Sequence, residues 1–126
     1  MAEARGVQRE RQRVWAATTA ELPPGARKII SIAGQSIGLF NVHGNYVAAL
    51  NVCPHELAPV CLGRVGGTTL RSLPGEFRWG RDGEILACPW HGWEFDLLTG
   101  HALTDRHKRL RLFPVEVDGD ALYVVV

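Results

Sequence analysis

Cys88-Pro89-Trp90-His91-Gly92-Trp93 is the stretch of this sequence on which the fold depends. It places a thiol and an imidazole three residues apart, with a proline directly after the cysteine. A second, shorter pattern, Cys53-Pro54-His55, lies upstream and begins with the same two residues. Each pattern offers one sulfur and one nitrogen ligand within a short loop, so together they predict one metal site with four protein ligands.

Two kinds of metal centre match a ligand set of two cysteines and two histidines. A single zinc ion would take all four ligands in a tetrahedron. A [2Fe–2S] cluster would take both cysteines on one iron and both histidines on the other. The similarity of the two patterns favours the cluster, because two alike loops can hold it from opposite sides. Zinc is the alternative. The predicted ligands are Cys53, His55, Cys88 and His91.

The same stretches resemble a known protein family. Cys88-Pro89-Trp90-His91-Gly92-Trp93-Glu94-Phe95-Asp96, followed by Thr99-Gly100, resembles the second cluster loop of the Rieske iron–sulfur family, and Asn51-Val52-Cys53-Pro54-His55 resembles the first. Phe113-Pro114-Val115-Glu116-Val117 and the closing strand extend the resemblance, which covers about residues 14–126. It implies an all-β chain: a Rieske-like antiparallel β-sandwich with a small cluster-binding subdomain made of two ligand loops. The implied cofactor is one [2Fe–2S] cluster.

Length and pattern indicate one domain preceded by a tail. The chain has 126 residues, enough for one domain with a modest core. Residues 1–13 are polar and lack apolar periodicity, which predicts a flexible N-terminal tail. The resemblance implies a single Rieske domain over residues 14–126, with an enlarged hairpin insertion near 63–81 between the two ligand loops. We expect Phe77 and Trp79 to pack this insertion down.

Short β-type runs bounded by turn residues follow one another along the domain. Just before the second ligand loop, Arg81-Asp82-Gly83 predicts a hairpin turn. The alternation of Trp93 and Phe95 with charged residues predicts that both aromatic side chains face the core. The predicted strands cover 14–18, 26–32, 35–42, 46–52, 68–73, 76–79, 84–87, 92–97, 110–117 and 121–126.

The overall composition is that of an ordinary globular protein, with 46% apolar residues, 21% charged residues and a net charge of +1. This balance gives no reason to expect nucleic acid or an anionic membrane as a partner. No apolar run reaches the roughly 18 residues of a membrane span, and residues 1–13 lack the apolar core of a signal peptide. We therefore expect a cytoplasmic protein, in a compartment that keeps thiolate ligands reduced.

Two further candidate ligands, Cys61 and His43, are interpreted as structural residues. With Cys53 and Cys88 assigned to the site, Cys61 has no partner, and we expect a buried free thiol. A regulatory or fifth-ligand role is the alternative. The resemblance adds that the high-potential branch of the family carries an extra cysteine in each cluster loop, whereas the second loop here has Trp90 at that position. His43 lies in a predicted turn and is expected to be exposed.

Residues beside the predicted ligands are expected to shape the loops. We expect Pro54, Pro89 and Gly92 to set the backbone so that N–H groups point towards sulfur, with ordinary turn prolines as the alternative. Trp90 lies between two ligands and is predicted either to contact partners at the loop tip or to pack over the loop. Trp93 stands where the high-potential branch of the family has a hydroxyl residue that donates to a cluster sulfur.

These observations predict an electron carrier rather than an enzyme. The sequence has no glycine-rich nucleotide motif and no second metal motif, so catalysis on a substrate is not expected. The resemblance implies a ferredoxin that passes single electrons from a flavin-dependent reductase to a terminal oxygenase. Two alternatives stay open. One is the electron-transfer small subunit of a fixed reductase complex, similar to that of an assimilatory nitrite reductase, and the other is a zinc-stabilised binding module.

The ligand set predicts the reduction potential of the cluster. With two thiolates and two neutral histidines, the oxidised cluster is formally neutral, so it accepts an electron more easily than a four-cysteine cluster. Within the Rieske range, Trp93 offers no hydroxyl to a sulfur, and the paired extra cysteines are absent. We expect a midpoint nearer to about −150 mV than to about +300 mV. A redox titration that gives a midpoint well above zero would refute this prediction.

Overall fold

The computed structural model of the chain describes residues 11–54, 57–70, 74–75, 78–90, 92–105 and 107–126. Within these ranges the chain forms strands joined by turns and by two short 3-10 helices, Thr19–Glu21 and Val60–Leu62. No helix in the same ranges is long and apolar enough to cross a lipid bilayer. The strands are β1 (Arg13–Thr18), β2 (Arg27–Ile32), β3 (Gln35–Val42), β4 (Asn45–Leu50), β5 (Arg64–Leu70), β6 (Arg78–Ala87), β7 (Glu94–Asp96), β8 (Leu112–Phe113), β9 (Val115–Asp118) and β10 (Ala121–Val125).

The strands form three sheets, and neighbouring strands within each sheet are antiparallel. The first sheet has the order β1-β10-β9, and the second has the order β2-β3-β4-β8. The third sheet, β5-β6-β7, contains the region predicted as an insertion and the strand that follows the second ligand loop. This arrangement confirms the predicted all-β antiparallel fold class.

Local sequence patterns predicted most strands correctly. The predicted strand at 35–42 coincides with β3, and the first and last predicted strands differ from β1 and β10 by one residue at one end. The ordered sheet nevertheless begins before the predicted domain boundary, because Gln12 and Val126 exchange backbone hydrogen bonds of 3.0 and 2.9 Å. Residues 1–10 of the predicted tail lie outside the described residues.

The predicted hairpin turn at Arg81-Asp82-Gly83 is wrong, because these residues lie inside β6. The register between β5 and β6 shifts here, so residues 81–84 bulge out of the strand opposite a single residue of β5. Arg81 and Gly83 take left-handed φ angles of 56° and 84°, which let the chain loop out and rejoin the same strand. An Asp-Gly pair is compatible with a hairpin turn and with a bulge. Here the residues on both sides of it pair with β5, so it forms a bulge.

The predicted strand at 110–117 is divided at Pro114 into β8 and β9. β8 pairs with β4, whereas β9 pairs with β10 in a different sheet. Proline has no N–H to donate to a strand ladder, so it suits the point at which the chain passes from one sheet to the other.

The insertion forms the hairpin of β5 and β6. Its aromatic residue Trp79 is exposed and does not pack as predicted. Trp79 is 61% exposed, and its indole lies over Gly67 of the neighbouring strand, where an added Cβ would come within 2.8 Å of Nε1. Trp79 therefore covers its own hairpin and does not pack it down against the rest of the domain. The hairpin is joined to the domain through β7 instead. Phe77 lies outside the described residues.

The buried apolar residues form two hydrophobic cores. The first core contains residues of the β1-β10-β9 sheet and of the β2-β3-β4-β8 sheet, among them Leu122, Ile37 and Leu39. The second core contains residues of β3, β4, β6 and β7 together with all three cysteines of the chain. Phe95 is fully buried in this second core, as predicted, and the half-buried Trp93 packs against it.

An ion-pair network fastens the bulge of β6 to β7. Arg81 Nη2 lies 2.8 Å from Asp96 Oδ2, and Arg81 Nε lies 2.9 Å from Glu84 Oε1. These hydrogen bonds raise the pKa of Arg81 above its ordinary value. Asp96 is only 8% exposed, and its Oδ1 accepts the N–H of Leu98 at 2.9 Å. The negative charge of the buried Asp96 carboxylate is therefore stabilised by Arg81 on one oxygen and by the Leu98 N–H on the other.

Replacing Arg81 with methionine should destabilise the fold, because Asp96 would stay buried without its cation. We expect a loss of about 2 kcal/mol in urea unfolding, less than for a fully buried pair since Arg81 is partly exposed. Arg13→Met is the matched control, because Arg13 pairs with Asp118 and Glu116 at the surface, and it should cost clearly less. Equal losses from the two substitutions would contradict this assignment.

Candidate metal centre

The first predicted ligand loop follows β4 and closes around Cys53. The Cys53 N–H donates to the Ala58 carbonyl at 2.7 Å, and the Leu57 N–H donates to the Cys53 carbonyl at 2.8 Å. Cys53 itself is fully buried. The loop is thus a compact turn in which backbone hydrogen bonds fix the position of the cysteine.

The second predicted ligand loop, between β6 and β7, repeats this geometry. The Cys88 N–H donates to the Trp93 carbonyl at 2.7 Å, so in both loops the cysteine N–H binds the carbonyl five residues later. Cys88 is 2% exposed. Gly92 has a left-handed φ of 69°, which glycine adopts without strain. Two loops of different sequence therefore hold their cysteines with the same backbone hydrogen bond.

Both loops meet at the same end of the β5-β6-β7 sheet. Ala87, the residue before Cys88, pairs with Arg64 on one side and with Glu94 on the other. Gly63, at the end of the first loop, packs so closely on the Ala87 carbonyl that an added Cβ would lie 1.8 Å from its oxygen. The end of the first loop is therefore in direct contact with the start of the second.

The cysteines of the two loops share one apolar environment. Both belong to the second hydrophobic core, which also contains Val60, Phe95 and Leu97. No disulfide joins any of the three cysteines, all of which lie in the described part of the chain. A thiolate in such surroundings is costly unless a cation compensates its charge, and the irons of a cluster would supply that positive charge. The residues present therefore fit a metal centre.

The predicted histidine ligands, His55 and His91, lie outside the described residues. In the sequence they follow Cys53 by two residues and Cys88 by three. Of the four predicted ligands, the structure thus brings the two cysteines into one buried region. Ligation by the histidines stays a prediction.

The other residues predicted to shape the loops differ in exposure. Pro54 is half-buried and Pro89 is exposed. Trp90 is 52% exposed, which fits a side chain that contacts partners better than one that packs over the loop. Trp93 is half-buried, and its ring centroid lies 6.4 Å from that of Phe95. The hydroxyl-bearing position of the high-potential branch is therefore occupied here by a ring turned towards the core.

Leu57 is a residue of the first loop that sequence analysis did not identify. It is 77% exposed and has a left-handed φ of 59°, a conformation uncommon for leucine. Its hydrogen bond to the Cys53 carbonyl holds the backbone in this conformation. Exposed apolar side chains thus lie on both ligand loops, Leu57 and Leu62 on the first and Trp90 on the second. No local pattern marks Leu57, because glycine or asparagine is the expected residue at such a φ.

Cys61 is a buried thiol, as predicted. Its N–H donates to Asn51 Oδ1 at 2.8 Å, and its Sγ lies 3.6 Å from the Ala49 carbonyl oxygen. Burial raises the pKa of this thiol to about 12, so it stays protonated at neutral pH. The His43 side chain is 59% exposed, and its Nε2 lies 2.8 Å from the Asp82 carbonyl oxygen, which confirms the predicted exposed position.

Comparison with known families and sequences shows what the chain is similar to. A family model that describes the Rieske [2Fe-2S] domain matches residues 12–114 of the chain. The ferredoxin component of the naphthalene 1,2-dioxygenase/salicylate 5-hydroxylase systems of Ralstonia sp is 31% identical over 104 residues. The aligned part covers 82% of this chain and 85% of that protein.

Solved structures share the fold over nearly the whole chain. A putative NADH-dependent nitrite reductase small subunit from Mycobacterium tuberculosis gives a TM-score of 0.71 at 21% identity, covering 94% of this chain and 97% of that one. A chain from the complex of reduced oxygenase and oxidized ferredoxin in carbazole 1,9a-dioxygenase gives 0.67 at 23% identity, covering 90% and 94%. At these identities the two structures establish the fold alone.

Replacing Gly63 with alanine should force the two loops apart, because the new Cβ would lie 1.8 Å from the Ala87 carbonyl oxygen. We expect a loss of about 3 kcal/mol, at the upper end of overpacking effects. Gly66→Ala is the matched control, since a Cβ there comes no closer than 4.0 Å to Asp82 Oδ1. Urea unfolding measures both, and a Gly63→Ala protein as stable as the control would show that the contact is not tight.

Proposed function

The chain belongs to the Rieske [2Fe-2S] domain family, and on this premise we propose that it is a one-electron carrier and not itself an enzyme. When bound, a [2Fe–2S] cluster takes up and gives back a single electron. The equivalence of the two cysteine loops carries the proposal, because each loop would supply one cysteine to the same iron of the cluster. The proposed cluster ligands are Cys53, His55, Cys88 and His91.

The described residues supply a rigid and dry frame for the proposed cluster. Both Cys53 and Cys88 are nearly inaccessible to water, and each is fixed by a backbone hydrogen bond of 2.7 Å. Ligands held in place in this way need little rearrangement when the charge of the bound group changes. The frame therefore suits repeated electron transfer without chemical change of the protein.

We infer that the donor is a flavin-dependent reductase and the acceptor a terminal oxygenase or another reductase. The Ralstonia relative is named as the ferredoxin component of a dioxygenase system, which supports an oxygenase as acceptor. The exposed side chains of Leu57 and Trp90 would be covered by a partner in a small, transient interface. The cytoplasm is the proposed compartment, because it keeps thiolate ligands reduced.

A second candidate function is the electron-transfer small subunit of a fixed reductase complex. The observation that favours it is Trp79, a tryptophan 61% exposed on the β5–β6 hairpin, since aromatic residues of this kind are enriched in protein interfaces. Copurification of the chain with a large reductase subunit would support this candidate, whereas a chain that purifies alone and exchanges electrons with several partners would not. A zinc-stabilised binding module is the third reading, and metal analysis separates it from both.

The ligand assignment is tested by replacing each cysteine in turn. Cys53→Ala and Cys88→Ala should abolish cluster binding, whereas Cys61→Ala should retain it because the Cys61 Sγ lies against the Ala49 carbonyl oxygen of β4 and its N–H is bound by Asn51. Iron and acid-labile sulfide are measured per folded chain after anaerobic reconstitution, with folding followed by circular dichroism. The same assay on His55→Ala and His91→Ala tests the predicted histidines. Retention of the cluster in a folded Cys53→Ala or Cys88→Ala protein would contradict the assignment.

A further inference from the structure

The first ligand loop is anchored to the protein at Cys61, eight residues after its cysteine. The Cys61 N–H donates to Asn51 Oδ1 at 2.8 Å, and its Sγ lies 3.6 Å from the Ala49 carbonyl oxygen. Its own carbonyl accepts from Arg27 Nη1 at 2.7 Å. Every polar atom of Cys61 is therefore bound by the four-stranded sheet or by the segment that leaves it.

Arg27, the first residue of β2, is the partner of Cys61 that lies farthest from it in the sequence. Its Nη1 donates to the carbonyls of both Cys61 and Gly63. These carbonyls stand at the end of the short helix Val60–Leu62, where helix carbonyls lack partners inside the helix and need an outside donor. A guanidinium suits this place, because a single nitrogen carries two N–H groups. One charged side chain thus fixes two peptide units of the loop end, the one after Cys61 and the one after Gly63.

The segment that Arg27 holds also touches the second ligand loop. Gly63 lies against the carbonyl of Ala87, the residue that precedes Cys88. The end of the first loop is therefore held on one side by Arg27 and on the other by the start of the second loop. Release of the Arg27 contacts would free the first loop to shift relative to Cys88.

We propose that Arg27 is a positioning residue of the metal centre, whose bridge to the carbonyls of Cys61 and Gly63 keeps the Cys53 loop in register with the Cys88 loop. The proposal rests on the metal centre proposed above. Arg27 acts through the backbone and not as a ligand. Its effect should therefore appear in the order of the first loop and in the retention of the bound metal.

The test compares Arg27→Met with Lys28→Met. Both substitutions remove one positive charge from β2 and leave an unbranched side chain of similar length. Lys28 is the matched control because its Nζ contacts the Ala16 carbonyl at 3.5 Å and Glu21 Oε2 at 3.4 Å, and neither partner belongs to a ligand loop. A difference between the two proteins therefore reports the bridge and not the loss of charge.

Hydrogen exchange is measured by mass spectrometry on the full chain as purified, with whatever metal it carries. In Arg27→Met, amides of residues 53–63 should exchange about tenfold faster than in the wild type, the scale of a lost hydrogen bond to a charged group. Residues 35–42 of β3 should be unchanged in both variants. Iron should pass to a chelator about tenfold faster from Arg27→Met than from Lys28→Met. Arg27→Lys should restore most of both values, because its amine keeps the charge and several N–H groups.

Wild-type exchange rates for residues 53–63 in Arg27→Met would overturn the proposal, and so would an equal acceleration in Lys28→Met. If Arg27→Met does not fold, Arg27→Gln gives the same comparison, because its shorter side chain cannot reach both carbonyls. A chain that binds no iron in any variant would refute the proposed cluster. The exchange rates of the first loop would still decide the role of Arg27 in that case.

Discussion

The structure depends on one row of backbone pairing, in which Ala87 lies between Arg64 and Glu94. This row joins the end of the first cysteine loop to both ends of the second, so the positions of the two loops are coupled at this point. Close contact of Gly63 with the Ala87 carbonyl tightens the same junction. The rest of the sheet supports it, since the ion pair between Arg81 and β7 holds the third strand of this sheet in place.

The burial of the two loop cysteines determines which chemistry this junction supports. Cys53 and Cys88 lie in a hydrophobic core, where a thiolate is stable only beside a cation. The third cysteine, Cys61, is equally buried, but its thiol stays protonated and its polar atoms bind the surrounding sheet. The thiols of these cysteines thus lie inside the core, while Leu57 and Trp90 expose apolar surface on the same two loops. That combination suits a carrier that meets its partners briefly.

The cysteine site could be predicted from the sequence because each half of it is encoded in a short local pattern. The repeated Cys-Pro pair identified Cys53 and Cys88, and the structure places both in one core. The bulge at 81–84 could not be predicted in the same way, because a long-range ion pair and the pairing of β6 select it over a turn. Leu57 was missed because its left-handed backbone depends on a contact inside the folded loop. The histidine ligands rest on the sequence alone.

We propose a redox-active cluster with two cysteine and two histidine ligands, held by the two loops. The most direct test of this proposal is an absorption and electron paramagnetic resonance spectrum of the anaerobically purified chain, recorded before and after dithionite. We expect a red-brown protein that bleaches on reduction and gains a paramagnetic signal only then, with absorption bands shifted from those of an all-cysteine cluster. A colourless, silent protein with one zinc per chain would contradict the proposal and leave a zinc-stabilised binding module.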